Sequence, residues 1–81
     1  MTVRVKFFAI LRERAGASEL SKELSDGSTV ADLWRELQND YPKLDVPGIR
    51  LLYAVNQNYV AADYCLHEQD EVVFIPPVSG G

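Results

Sequence analysis

The sequence has 81 residues, of which 47% are hydrophobic and 25% charged, a composition typical of one globular domain and unlike that of a disordered chain. The net charge of −4 opposes binding to a phosphate backbone, so nucleic acid is not an expected partner. The single cysteine, Cys65, excludes an internal disulfide and a zinc or iron–sulfur centre built on several cysteines. Because no apolar run approaches the roughly 20 residues that span a bilayer and the N-terminus lacks a secretory signal, we expect a cytoplasmic protein without membrane contact.

Two strands are predicted in the first third of the chain. Residues 2–10 alternate between the two sides of an extended chain, with the period of a half-buried strand. Half of residues 11–16 are charged and the segment ends in glycine, which favours a turn, and residues 19–24 alternate weakly again. We therefore predict that the two strands form a hairpin.

A helix over residues 30–40 is the next predicted element. Thr29 and Asp32 have the spacing of a capping box, in which each residue bonds the backbone of the other. Behind them, apolar residues recur at intervals of three and four and form one stripe. Pro42 is expected to end the helix.

Two short apolar and aromatic runs, residues 51–55 and 71–75, predict buried strands. The resulting order predicts an α+β fold with one main helix packed on a mixed sheet. A β-grasp (ubiquitin-like) roll fits this order, with residues 1–75 as the domain and residues 76–81 as an extended, flexible tail. Other small α+β folds have similar orders, so the fold alone does not decide the function.

The residues after the last predicted strand indicate chemistry at the carboxyl terminus. They are Pro76, Pro77, Val78, Ser79, Gly80 and Gly81. The prolines cannot donate to the sheet and hold the tail extended, so it could reach roughly 20 Å into another protein. The Gly-Gly end fits a narrow channel, and its ionised carboxylate needs activation, for example adenylation by ATP, before acyl transfer. The alternative is a frayed terminus without a role.

A partner surface is predicted on the outer face of the sheet. Phe8 and Leu52 fall on the side of their strands opposite to the expected core, and we assign them to partner binding together with Ile75. Large exposed apolar patches usually mark interfaces. The alternative is that the strand parity is misjudged and these residues belong to the core.

Catalysis by side chains of this chain is a weaker hypothesis. Cys65 and His67 would share a face of an extended segment, but no orienting group accompanies them, and ordinary packing or surface roles are favoured. The acidic residues between Asp63 and Glu71 lack the spacing of a calcium loop, so no metal site is predicted.

Several segments resemble the small subunit of molybdopterin synthase, a ubiquitin-like sulfur carrier, over essentially the whole chain. They are residues 5–9 with 11–13, 54–57 and 70–81, of which the last is the most specific. The resemblance implies that an adenylyltransferase related to ubiquitin-activating enzymes adenylates Gly81, which then becomes a thiocarboxylate. It further implies a heterotetramer in which the tail enters the large subunit and donates sulfur to cyclic pyranopterin monophosphate. The catalytic side chains would lie on the large subunit, and this chain would bind no cofactor, since the activating enzyme uses the ATP.

One segment departs from the resembled family. That family usually has Asp-Gly-Asp before the last strand, where this chain has Glu68-Gln69-Asp70. Because glutamine adopts a positive φ less readily than glycine, the type of this turn is left open.

Other functions remain as alternatives at this stage. A sulfur carrier for thiazole synthesis or tRNA thiolation, or a protein modifier, would use the same activated glycine. A passive ubiquitin-like binding module would tolerate loss of Gly80 and Gly81. An enzyme acting through Cys65 or His67 would lose activity when these are replaced.

Overall fold

The computed structural model describes residues 1–45 and 50–76. The elements in chain order are β1 (Thr2–Phe7), α1 (Ile10–Ala15), β2 (Glu19–Glu23), α2 (Val30–Asp40), a 3₁₀ turn (Pro42–Leu44), β3 (Leu52–Val55), β4 (Asn58–Val60) and β5 (Glu71–Ile75). The five strands form one mixed sheet in the order β2-β1-β5-β3-β4, which confirms the expected α+β architecture. Within these residues, no helix is both long enough and apolar enough to cross a bilayer.

Strand direction decides which chain segments meet at each edge of the domain. β1 and β5 are parallel, with Phe7 opposite Phe74. β3 and β5 are antiparallel, with Leu52 opposite Ile75. β1 and β5 therefore end where β3 begins, and we call this place the exit edge because the predicted tail follows β5 there.

The core lies between α2 and the inner face of the sheet. Alternate residues of β1 and β5 point into it, and the helix contributes Leu33 and Leu37. The ring of Phe74 lies 4.8 Å from that of Trp34 and 6.3 Å from that of Phe7, measured between centroids. Burial of each such side chain contributes about 1.5–3 kcal/mol to stability, so this cluster fixes the helix on the sheet.

The start of α2 is fixed by the predicted capping box. The Asp32 carboxylate accepts a hydrogen bond from the Thr29 amide at 3.0 Å, and the Thr29 hydroxyl accepts one from the Asp32 amide at 3.2 Å. The pKa of Asp32 lies below its ordinary value of 3.8. The hydrogen bond from the Thr29 amide is the larger cause, and hydrogen bonding with the Thr29 hydroxyl is the smaller one. The cap therefore depends on the charged form of this carboxylate.

Replacing Asp32 with asparagine is expected to weaken the acid dependence of stability. A carboxylate whose pKa is lowered by folding stabilises the protein above its unfolded pKa, and this stabilisation is lost as the pH falls through the folded pKa. Between about pH 5 and pH 2, Asp32→Asn should therefore lose less unfolding free energy than the wild type. Urea unfolding at several pH values measures this. Asp63→Asn, at an exposed position, is the control and should follow the wild type; equal slopes for Asp32→Asn and wild type would contradict the assignment.

The connection after β1 differs from the prediction. The strand ends at Phe7 rather than at residue 10, and residues 10–15 form α1 rather than part of a turn. Ala9 redirects the chain with φ 54° and ψ −129°, a region that alanine rarely adopts. This change of direction allows Leu11 to enter the core, where it is fully buried. The gain from burying the leucine is comparable in size to the backbone strain at Ala9.

The β3–β4 hairpin was not identified from the sequence. Its two-residue loop consists of Asn56 and Gln57, which have φ values of 50° and 72°, as a type I′ turn requires. Asparagine is common at the first position of such a loop, whereas glycine is usual at the second. The sequence signal was weak because Gln57 occupies that second position.

The turn before β5 keeps a left-handed residue at the position where the resembled family has glycine. Gln69 has a φ of 67°. Its amide donates to the Thr2 carbonyl at 2.7 Å, which holds the strained residue against the start of β1. The turn therefore requires a positive φ in this chain too, although glutamine stands where the resembled family has glycine.

Replacing Gln69 with glycine is expected to raise the unfolding free energy by roughly 0.5–1 kcal/mol, since glycine adopts a positive φ without steric cost. Gln69→Ala is the matched control and should give no such gain, because alanine retains the Cβ. Chemical denaturation of the three proteins measures the difference. Equal stability of the glycine and alanine variants would show that the turn is unstrained.

Candidate functional site

β5 leads to the predicted tail from the middle of the sheet. It lies between β1 and β3, and its inner residues Val72 and Phe74 are fully buried. Pro76 follows the strand and is half-buried. The rest of the tail lies outside the described residues: Pro77, Val78, Ser79, Gly80 and Gly81. The assignment of Gly81 to acyl transfer, and of the tail residues before it to insertion into a partner, therefore stays a prediction.

A buried carboxylate holds the start of β5. Asp70 accepts hydrogen bonds from the His67 amide at 2.8 Å and from the Asn56 side-chain amide at 2.9 Å. The side-chain Oδ1 of Asn56 accepts in turn a hydrogen bond from the Glu71 amide at 3.0 Å. This network ties the β3–β4 hairpin loop to the start of β5, so the strand that leads to the tail is anchored at its beginning.

Apolar side chains are exposed around the exit edge. Phe8 is 51% exposed and Leu52 is 54% exposed. Ile75 lies directly opposite Leu52, and Phe8 follows the Phe7–Phe74 pair at the end of β1. We call Phe8, Leu52 and Ile75 the outer patch. The interpretation that Phe8 and Leu52 lie in the core is wrong, while the assignment of the outer patch to partner binding stays a prediction.

Sequence reasoning missed further apolar residues on this face. Tyr59 of β4 is 73% exposed and lies opposite Ala54, which pairs with Val73 on its other side. A shallow groove of about 430 Å³ at this edge is lined by Leu51, Leu52, Tyr53, Tyr59, Val60 and Ala61. These residues could be placed only once β4 was known to extend the sheet beyond β3.

The charged side chains on the outer face of β1 form ion pairs with residues of the two neighbouring strands. Arg4 lies 2.8 Å from Glu19, and Lys6 lies 3.5 Å from Glu71. The hydrogen bond from Arg4 lowers the pKa of Glu19, and the same bond raises the pKa of Arg4. Exposed pairs of this kind contribute little to stability. Their effect is to cancel charge beside the outer patch.

Cys65 and His67 lie at the far end of the domain, away from the exit edge. Cys65 is exposed, and its backbone forms an isolated antiparallel β-bridge with Thr29 at the start of α2. The His67 Nδ1 is 3.9 Å from the Asp70 carboxylate, and its side chain is 75% exposed. No hydrogen bond joins Cys65 to His67, and within residues 1–45 and 50–76 no three side chains form a metal-binding group. The pair therefore lacks the geometry of an activated nucleophile.

The sheet order, the single long helix and the central last strand define a ubiquitin-like β-grasp domain. SAMP1 from Haloferax volcanii, a small archaeal modifier protein, matches with a TM-score of 0.89 and 26% identity over 100% of both chains. A putative molybdopterin converting factor subunit 1 from Pyrococcus furiosus matches with a TM-score of 0.84 and 35% identity, over 96% of this chain and 99% of that one. The expected β-grasp roll is confirmed.

Sequence comparison places the chain within a family of such domains. A family model described as the ThiS family matches residues 5–81, and the chain belongs to the ThiS family. It is 40% identical over 83 residues to the molybdopterin synthase sulfur carrier subunit of Chlamydomonas reinhardtii, with 100% of both chains covered. The resemblance identified from the sequence is thus confirmed.

Proposed function

We propose that this chain is the sulfur carrier subunit of a molybdopterin synthase. The observation that carries the proposal is the identity of 40% to a subunit of that name, over a match that covers 100% of both chains and includes Gly80 and Gly81. The exposed outer patch beside the end of β5 supports it, because a donor whose tail enters another protein needs an apolar contact surface near the tail. In this account the chain is a donor subunit and does not catalyse alone.

The proposed chemistry takes place on the carboxylate of Gly81. A carboxylate oxygen attacks the α-phosphorus of ATP and pyrophosphate leaves, which converts a poor electrophile into an acyl-adenylate. Hydrosulfide supplied by a sulfur donor adds to the acyl carbon and AMP leaves, which gives a thiocarboxylate. The thiocarboxylate sulfur is then transferred to cyclic pyranopterin monophosphate, and water restores the carboxylate.

Two partners follow from this chemistry. The activating enzyme, an adenylyltransferase related to ubiquitin-activating enzymes, binds the ATP, so this chain holds no cofactor of its own. The large subunit accepts the tail, with Pro76 and Pro77 keeping the tail off the sheet and the two glycines passing through a narrow channel. Both reactions take place in the cytoplasm in this proposal.

Sulfur transfer by the charged carrier tests the proposal. Chain carrying a terminal thiocarboxylate is mixed with the synthase large subunit of the same organism and cyclic pyranopterin monophosphate. We expect the dithiolene product to form with loss of the thiocarboxylate, and uncharged chain to give none. Retention of the thiocarboxylate beside a large subunit that accepts sulfur from an established carrier would refute the proposal.

A second candidate is a protein modifier, and the likeness to SAMP1 is the observation that favours it. Both functions begin with activation of Gly81, so they are separated by the acceptor. Incubation with activating enzyme, ATP and cell extract should leave no lysine-linked adduct if the chain is only a sulfur carrier. Adducts of Gly81 on lysine side chains, seen by mass spectrometry, would favour the modifier.

Replacing Phe8 with alanine is expected to weaken binding to the large subunit by at least about tenfold, since truncating a central aromatic interface residue costs about 1–2 kcal/mol or more. The melting temperature should change little, because half of the side chain is already exposed to solvent. Calorimetric titration and thermal unfolding measure the two effects. Tyr64→Ala, which removes an exposed aromatic ring at the far end, is the control and should bind as the wild type does. A large loss of stability in Phe8→Ala would contradict the assignment.

A further inference from the structure

The positive charges of this acidic chain are unevenly distributed. Four of its eight lysine and arginine side chains form ion pairs: Arg4, Lys6, Lys22 and Arg35. Four others form no ion pair with a carboxylate of residues 1–45 or 50–76: Arg12, Arg14, Lys43 and Arg50. Residues 46–49 and 77–81, outside the described part of the chain, include no aspartate or glutamate.

All four of these cations belong to segments at the exit edge. Arg12 and Arg14 lie on α1, which begins just after β1 ends. Lys43 lies on the 3₁₀ turn beside α1, and its carbonyl oxygen accepts a hydrogen bond from Arg14 Nη1 at 3.2 Å. Arg50 stands just before β3, which begins at the same edge. We call Arg12, Arg14, Lys43 and Arg50 the exit-edge cations.

The acidic side chains show the opposite distribution. Near the exit-edge cations, the carboxylates without an ion pair are Glu13 and Asp45, so four positive charges face two negative ones there. At the far end, two carboxylates accept hydrogen bonds from uncharged groups: Glu23 from the Thr2 hydroxyl, and Glu68 from the Thr2 amide at 3.1 Å. Although the chain has a net charge of −4, the end from which the tail departs is positive.

Building on the proposed function, we propose that the exit-edge cations dock against acidic side chains of the synthase large subunit around the opening that receives the tail. Three of the four are exposed: Arg12, Lys43 and Arg50. They stand on three separate segments, an arrangement that suits the rim of a protein surface better than the convergent donors that a small phosphate needs. The separation of charge orients the carrier during its approach, so that the tail faces the opening.

The rate of complex formation tests this docking. The chain carries a fluorophore on Cys65, which is exposed at the far end, and stopped-flow mixing with the large subunit gives the association and dissociation rates. The variant is Lys43→Gln with Arg50→Gln. The control is Arg35→Glu, which changes the net charge by the same two units on an exposed part of α2.

We expect the double variant to associate roughly five to ten times more slowly than wild type at low salt, with a dissociation rate within about twofold, and the difference to vanish near 0.5 M salt. Arg35→Glu should stay within about twofold of wild type. Equal slowing by both variants would show an effect of net charge alone and would overturn the proposal. Normal association combined with a raised KM for the pterin would assign the cations to the substrate phosphate instead. Failure of the wild type to bind or transfer sulfur would count against the proposed function rather than against this docking.

Discussion

Deletion of Gly81 is expected to abolish sulfur charging of the chain while leaving the domain folded. In the proposed reaction the activated carbon belongs to this residue, and its removal withdraws the carboxylate by about 3.5 Å along the tail. A misplacement of about 1 Å can already cost a hundredfold in rate, so we expect thiocarboxylate formation to fall by at least ~10³-fold. The melting temperature should not change, since glycine has no side chain to contribute to the core.

The control for this deletion keeps the length of the tail. Ser79→Ala changes a side chain but not the position of the terminal carboxylate, so it should be charged at a rate close to that of the wild type. Mass spectrometry of both variants, after the same incubation with activating enzyme, ATP and a sulfur source, gives the comparison. Charging of the deleted chain at the wild-type rate would mean that the tail is an inert terminus.

Replacing Asp70 with alanine is expected to have the largest effect on stability. The Asp70 residue is only 7% exposed, and the change leaves the His67 amide and the Asn56 side-chain amide without their acceptor. An unpaired buried donor costs about 1–3 kcal/mol; because both hydrogen bonds are only partly buried, we expect a total loss of about 2 kcal/mol. In a domain of this size the melting temperature should fall by roughly 10 °C.

Thermal unfolding followed by circular dichroism measures this effect. Asp63→Ala is the matched control, because Asp63 is exposed and its loss should stay within about 0.5 kcal/mol. Asp70→Asn should fall between the alanine variant and the wild type, since an amide retains one acceptor oxygen. A melting temperature of Asp70→Ala equal to that of Asp63→Ala would show that the network does not anchor β5.

The sequence predicted best those elements whose ends are marked by local chemistry. α2 covers residues 30–40 as expected, because the Thr29–Asp32 cap defines its start and Pro42 follows its end. β5 covers residues 71–75 as expected, since two prolines follow it. α1 was missed because its direction depends on a positive φ at Ala9, which depends in turn on burial of Leu11 in a core that local periodicity does not reveal.

The candidate site could be predicted only in part. The exposure of Phe8 and Leu52 was expected from the two-residue period of a strand; both are exposed, although β1 ends one residue before Phe8. The placement of these residues beside Ile75, and of Arg12 and Arg50 at the same end of the domain, depends instead on the parallel pairing of β1 with β5 and the antiparallel pairing of β3 with β5. Such pairings join distant segments, and a single sequence read locally does not contain them.

Sulfur charging of Gly81 is tested most directly by the intact mass of the full chain after incubation with its activating enzyme, ATP and a sulfur donor. We expect the exchange of one oxygen atom for one sulfur atom, located at Gly81 by fragmentation of the terminal peptide. An unchanged mass, obtained with an activating enzyme that charges an established carrier in the same experiment, would contradict it.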